Sequence, residues 1–332
     1  MPVSPLPRQI LRLLNLVKEG AADTWGEGGD VTPNTPAFPN IVGYLLGWKL
    51  TLNALTLTSD SNHNQYCAYL RNKGYIPSLL NNLFSLMPLQ PFLNSGSCGS
   101  SGSDKQPTFF TTPLLIRPAG MATARLIPHL ACHVYHSAVS GVPAAIRGWY
   151  MALDRPSQAL VDSFTTCFVS PLVVQQEMAT LGRSVEVLGD MVVRCRPAAR
   201  EVVALYTVDE ARMELILRLA VNHPLGSVQV EDHKRIGVSL AQWRNWLLGL
   251  RTMLSHRNTP LLRSLAFWKQ NVDQKFRGVE ECYICYYVLH GTNHQLPKLL
   301  CRTCKKKFHS ACLYKWFNSS NNSTCPLCRS LF

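Results

Sequence analysis

Apolar positions along the chain change their spacing part-way. Over residues 7–18, Ile10, Leu11, Leu13, Leu14, Leu16 and Val17 crowd one side of a short amphipathic helix. A Gly- and Pro-rich loop spans 20–39, after which helical spacing predicts elements at 41–58, 63–72 and 76–87. The Ser/Gly-rich run within 94–106 has almost no apolar side chain and predicts a disordered linker. Helical spacing returns at 112–117, 128–140, 142–153 and 157–180. Paired helices without strand signals suggest stacked hairpins of a solenoid over 1–180.

Near Gly182 the period shortens. Val185 and Val187 alternate with polar neighbours, a Gly189-Asp190 turn follows, and Val192 and Val193 resume the run. Met213, Leu215, Leu217, Leu219 and Val221 form a period-2 face. Strands at 228–230 and 236–238, joined by a turn over 231–234, would complete an antiparallel meander. Ser239 and Gln242 make a capping box ahead of a helix with Leu240, Trp243, Leu247, Leu250 and Leu254 on one face. Thr259-Pro260 caps and starts a second helix carrying Leu261, Leu265, Trp268 and Val272. A meander followed by two helices is an α+β domain over 182–276, with the tryptophans in its core.

Composition narrows the class. Apolar residues at 46% exclude a wholly disordered chain. Ile41 to Leu57 is the most apolar stretch, but Lys49 and Asn53 interrupt it and it is short of the ~20 residues of a membrane span. A buried helix and no membrane partner are expected. Arg8 and Arg12 break the apolar run at the N-terminus, which therefore does not read as a signal peptide. Of the net charge of +13, the part from Cys282 onward contributes seven basic and no acidic residues, which suits an anionic partner.

Seven of twelve cysteines lie in this tail: Cys282-x2-Cys285-x15-Cys301-x2-Cys304-x4-His309-x2-Cys312-x12-Cys325-x2-Cys328. Close pairs with a histidine among them match zinc templates rather than a disulfide framework, and a reducing, cytosolic compartment follows. Eight ligands fill two four-coordinate sites with none left open, so zinc here is structural. It replaces the hydrophobic core that some 50 residues cannot supply. A helical face carrying His129, Cys132, His133 and His136 lacks a second ligand cluster and reads as packing.

The ligand order fits both a RING-variant finger and a PHD finger. Residues between the ligands resemble RING domains: Ile284 before the second ligand, Trp316 four after Cys312, Pro326 in the last pair, and Arg329 after the last ligand. Ser323 stands where a PHD finger has an aromatic residue, although the Cys301–His309 spacing departs from most RING variants. CRTCKKKFHSACLYKWF (Cys301 to Phe317) and STCPLC (Ser323 to Cys328) are similar to the C-terminal RING of the listerin family of ubiquitin ligases. The likeness extends through Asn222 to Gly226, Gln242 to Trp246 and Phe267 to Asn271, which correspond to that family's RWD domain. Tyr44 to Trp48 resembles the end of its HEAT/ARM solenoid.

The resemblance implies three parts: a HEAT/ARM-like helical region over 1–180, an RWD-like domain over 182–276 and a cross-brace RING over 280–332. It pairs Cys282, Cys285, His309 and Cys312 on one zinc, and Cys301, Cys304, Cys325 and Cys328 on the other. Ile284, Trp316 and Pro326 would dock a ubiquitin-conjugating enzyme, and Arg329 would bridge it to ubiquitin. The substrate implied is a nascent chain stalled on the large ribosomal subunit, with quality-control cofactors as further partners. The RWD domain is the implied ribosome contact. A PHD-like peptide reader and a non-catalytic scaffold are the alternatives.

Overall fold

The computed structural model describes residues 35–87 and 123–332, with Arg12, Leu14, Pro33 and Leu89 besides. The linker over 94–106, the helix at 112–117 and all but two residues of the helix at 7–18 lie outside these. The chain forms two compact units, the first taking in residues up to 175 together with 219–227 and 255–258.

That first unit is helical: α1 (Ala37–Thr56), α2 (Asp60–Asn72), α3 (Tyr75–Leu86), α4 (Leu126–Gly141), α5 (Pro143–Ala152) and α6 (Arg155–Phe164). A π turn (Thr165–Val169) leads into α7 (Ser170–Arg183). Its core joins Leu45, Trp48, Leu52 and Leu55 of α1 to Ile76, Leu79 and Leu83 of α3 and to Val134, Tyr135, Ala138 and Val139 of α4. The apolar stretch Ile41 to Leu57 is thus a core helix, and its interrupting Lys49 donates to Ser137 of α4. By length and composition alone, the helical run Arg155–Arg183 could also cross a membrane. Val161, Phe164, Val169 and Val173 from that run are instead buried in the helical core. The two short loop segments join the same unit through specific contacts. Arg147 donates to the carbonyls of Ser255 and Pro224, both at 3.0 Å, Asn222 bonds Asp162 at 2.5 Å, and Leu225 is buried in the core. Gly226 is required by close approach, since a Cβ there would lie 2.6 Å from that of Ala220. Cys167 is disulfide-bonded.

The second unit, 176–218, 228–254 and 259–332, contains an antiparallel sheet of β1 (Val192–Arg196), β2 (Glu201–Val208), β3 (Ala211–Arg218) and β4 (Gln229–Lys234), paired in that order. Met213, Leu215 and Leu217 are buried as their alternation predicts, but β3 ends at Arg218, so Leu219 and Val221 of the expected face lie beyond the strand, and Val221 is 63% exposed. Strand β2 has no such alternation because Val202, Val203 and Ala204 are all buried; a strand covered on both faces has no period of two. Three expectations are corrected. Val185–Leu188 is a helical turn, α8, because two alternating positions are too few to establish a strand. Residues 231–234 belong to β4 rather than to a turn, while 236–238 lie outside any strand. Pairing with β3, through a shift at Glu214/Leu215, carries β4 past the polar residues that suggested a turn.

Two helices follow, α9 (Leu240–His256) and α10 (Leu261–Phe276). Ser239 Oγ accepts from the Gln242 N–H at 3.3 Å, which is the expected cap. Leu240 is 49% exposed, outside the buried face drawn from the sequence. At α10 the N-cap is Pro260, without a side-chain bond from Thr259. Trp243 and Trp268 are fully buried with rings 6.2 Å apart edge to face, and Tyr206 of β2 meets Trp268 at 6.5 Å. The tryptophans are core.

Candidate metal centre

The tail has little regular structure: the hairpin β5 (Leu299–Leu300) and β6 (Lys307–Phe308), then α11 (Ser310–Ser320). Three close cysteine pairs fold into the same knuckle. In each, the N–H four residues after the first cysteine returns to that cysteine's carbonyl: Tyr286 to Cys282, Lys305 to Cys301, Arg329 to Cys325. Tyr286, Lys305 and Arg329 accordingly sit at φ of +61°, +57° and +59°. The strain in these left-handed residues is borne three times over because each knuckle aims two sulfurs at one point.

The ligands converge as two quartets, Cys282, Cys285, His309, Cys312 and Cys301, Cys304, Cys325, Cys328, with the ligand atoms of each within 4.8 Å of one another. Pairs from different knuckles interleave, giving the cross-brace and not a sequential pairing. A tetrahedral zinc with ~2.3 Å sulfur bonds sets sulfurs ~3.8 Å apart. Cys301 and Cys328 are 3.6 Å apart, and Cys304 and Cys325 3.7 Å. Cys285 and Cys312 lie 3.3 and 3.8 Å from His309 Nδ1. Such spacing is far beyond a ~2.05 Å disulfide. The donor sets fit two zinc ions.

His309 Nε2 lies 3.2 Å from the Val288 carbonyl, which can only accept. The imidazole therefore carries its proton on Nε2 and turns the Nδ1 lone pair to the metal position. Burial holds its pKa below the usual histidine range, so the neutral ligand form is favoured. The Cys304 N–H, with that of Thr303, holds Cys301 well below an ordinary thiol. Burial pushes Cys312 and Cys325 up. Full ionisation of such a set needs a cation to share the charge, and loading releases protons.

Around this frame a small apolar centre assembles. Phe308 and Leu313 are fully buried, and Phe332 closes over Phe308 and Phe317 at 6.1 and 5.7 Å between ring centroids. Ile284 is half-buried against this cluster. Trp316 remains 37% exposed, and its indole N–H donates to the Thr324 carbonyl at 3.2 Å. That bond ties α11 to the knuckle bearing Pro326, which is half-buried, and Leu327, which is 45% exposed. Arg329 is exposed.

Sequence patterns did not point to the supports outside the finger. Asp209 and Glu210, in the β2–β3 turn, meet the first zinc loop: Asp209 Oδ2 accepts from the N–H groups of Val288 and Leu289 at 2.9 Å each, and Glu210 accepts from the Tyr287 hydroxyl at 3.2 Å. With β2 unrecognised in the sequence, its turn gave no signal. On α4, the His129 and His133 rings meet edge to face at 4.5 Å between centroids, and His129, Cys132, His133 and His136 are not among the described groups whose ligand atoms converge.

The strand domain contains one cysteine between residues 191 and 275, Cys195. Its thiol points at the Met178 carbonyl at 3.8 Å, and burial pushes its pKa up. It is no activated nucleophile.

Comparison with known proteins matches three stretches of the chain. Residues 4–182 match the LTN1 family HEAT repeat region, 191–275 a ubiquitin conjugating domain-like family, and 280–329 the ring finger domain. The chain is 46% identical over 308 residues to the E3 ubiquitin-protein ligase listerin of Xenopus tropicalis, covering 92% of this chain and 18% of that protein. Identity to the Drosophila melanogaster protein of the same name is 39% over 296 residues, 88% and 16% of the two chains. For Saccharomyces cerevisiae it is 35% over 203 residues, 60% and 13%. The chain thus spans less than a fifth of the length of these curated relatives.

Proposed function

This chain belongs to the listerin family, and from that premise we propose that it carries the RING-type ubiquitin ligase activity of ribosome-associated quality control. It would position a ubiquitin-charged conjugating enzyme so that lysines of a nascent chain stalled on a large ribosomal subunit are modified, in the cytosol. The observation that supports this best is the finger itself. Two interleaved, closed zinc quartets take all seven of its cysteines and leave none to accept ubiquitin. Beside them lies the partly open apolar surface of Trp316 and Leu327.

The chemistry then reduces to placement. Zinc, when bound, supplies the rigid frame of the finger. Ile284, Trp316 and Pro326 dock the conjugating enzyme, and the exposed Arg329 bridges it to ubiquitin with a planar fork that can satisfy several carbonyls. A substrate lysine attacks the thioester carbonyl, the carbon–sulfur bond breaks, and the enzyme's thiol leaves. Restraining the thioester near one attack geometry accelerates this without a covalent intermediate on the finger. The RWD-like domain and the acid-free tail with Lys305, Lys306 and Lys307 would face the ribosome.

A PHD-like reader of basic tails fits less well, since no Asp or Glu follows Cys282 and Ser323 replaces the expected aromatic. A silent scaffold is separated by experiment. Single-turnover discharge of a charged conjugating enzyme should accelerate with this chain, and further with large subunits bearing stalled chains. No acceleration across a broad enzyme panel would favour the scaffold.

A further inference from the structure

We propose that Asp209, in the turn of the strand domain, is a positioning residue for the first zinc site and acts on His309 through one peptide group. The β2–β3 turn holds Asp209 at φ +53°, a conformation that Asp adopts more readily than most residues. Its Oδ2 accepts from the N–H groups of Val288 and Leu289, both at 2.9 Å. The Leu289 N–H and the Val288 carbonyl are two ends of the same peptide group. That carbonyl accepts from His309 Nε2 at 3.2 Å. A chain of hydrogen bonds therefore runs from carboxylate to peptide to imidazole, ending at the metal-facing Nδ1.

Negative charge at the N–H end polarises the peptide and makes its carbonyl a stronger acceptor. A stronger acceptor at Nε2 fixes the tautomer and raises the donor strength of Nδ1, the role outer partners play for zinc-bound histidines. Separate packing holds the loop in register for this bond. Leu289 is 3% exposed, and a Cβ added to Gly237 would lie 2.9 Å from Leu289 Cδ2 and 3.0 Å from Phe276 Cζ. Leu289 is seated where only glycine leaves room. The strand domain is therefore part of the support of the zinc site. This rests on the zinc reading of the finger and deepens it.

The test uses the full chain as wild type, Asp209→Gly, Asp209→Asn and Glu210→Ala. Glycine keeps the left-handed turn and deletes the acceptor; asparagine keeps both turn and acceptor. Two readouts are taken: zinc release to a chromophoric chelator, and the visible spectrum of the cobalt(II)-loaded protein. Wild type releasing fewer than two equivalents would remove the zinc reading itself. With two released, Asp209→Gly should speed one equivalent about tenfold, leave the other unchanged and shift the band of the three-sulfur, one-nitrogen site. Asp209→Asn, which keeps the acceptor but loses the charge, should fall between wild type and Asp209→Gly. Glu210→Ala, which loses only the Tyr287 contact, should match wild type. Unchanged release and spectrum in Asp209→Gly would overturn the proposal, as would equal acceleration of both equivalents or the same effect from Glu210→Ala.

Discussion

Truncating Trp316 to alanine should weaken the conjugating enzyme's grip on the finger by about thirtyfold while the finger keeps its metal. The magnitude follows from the ring's partial exposure. With 37% of Trp316 open to solvent and a side chain of roughly 250 Å², about 90 Å² remains for a partner to cover. At ~25 cal/mol per Å², covering it gives about 2 kcal/mol, about thirtyfold in Kd. The buried remainder of the ring complicates the variant, because the indole N–H also braces the Thr324 carbonyl. That bond is worth about 1 kcal/mol at most where water can replace it. Trp316→Phe separates the two roles: it loses the brace, keeps most of the apolar face, and should lose only a few-fold in affinity. The assay is titration of the free conjugating enzyme, with zinc content measured on the same samples. If Trp316→Ala holds two zinc ions and binds within twofold of wild type, the exposed ring is no docking surface and the groove must be sought elsewhere.

Three further outcomes are expected. Ile284→Ala should lower both enzyme binding and discharge, whereas Arg329→Ala should spare binding of the free enzyme and slow discharge, since its bridge forms only with ubiquitin attached. Parallel losses in both variants would count against a linchpin. Cys301→Ser should leave fewer than one zinc per chain by elemental analysis, because the interleaved quartets share one small fold; two retained ions would contradict the interleaving. Burial, reinforced by Lys49, lowers His136 to about 4, so the unfolded chain binds the extra proton between that value and ~6.5. The stability from keeping His136 neutral is thus full above ~6.5 and falls with pH through the folded value, by about 2 kcal/mol between pH 7 and 5. Urea unfolding followed by circular dichroism should show that loss in wild type and a smaller one in His136→Leu. Equal pH sensitivity in both would show that His136 does not titrate as described.

The sequence by itself determined the zinc ligands, because two cysteines three positions apart can reach one ion from a local knuckle, whatever the rest of the chain does. It also determined the long helices, where the apolar period is written over many residues, and the Met213, Leu215 and Leu217 part of the β3 face. Trp243 and Trp268 were legible as core for the same reason. Tertiary structure decided what depends on partners distant in sequence. β2 is covered on both faces and so carries no alternation to read. β4 continues through polar residues because its backbone is paired with β3. Leu225 lies in the α+β stretch of the sequence yet is buried with the helices. Asp209 stands 100 residues from His309 and reaches it only through a folded turn, a seated Leu289 and one shared peptide group. Local ligand spacing is a property of the chain, but the support of those ligands is a property of the packing. That is why the site could be named from sequence and its outer brace could not.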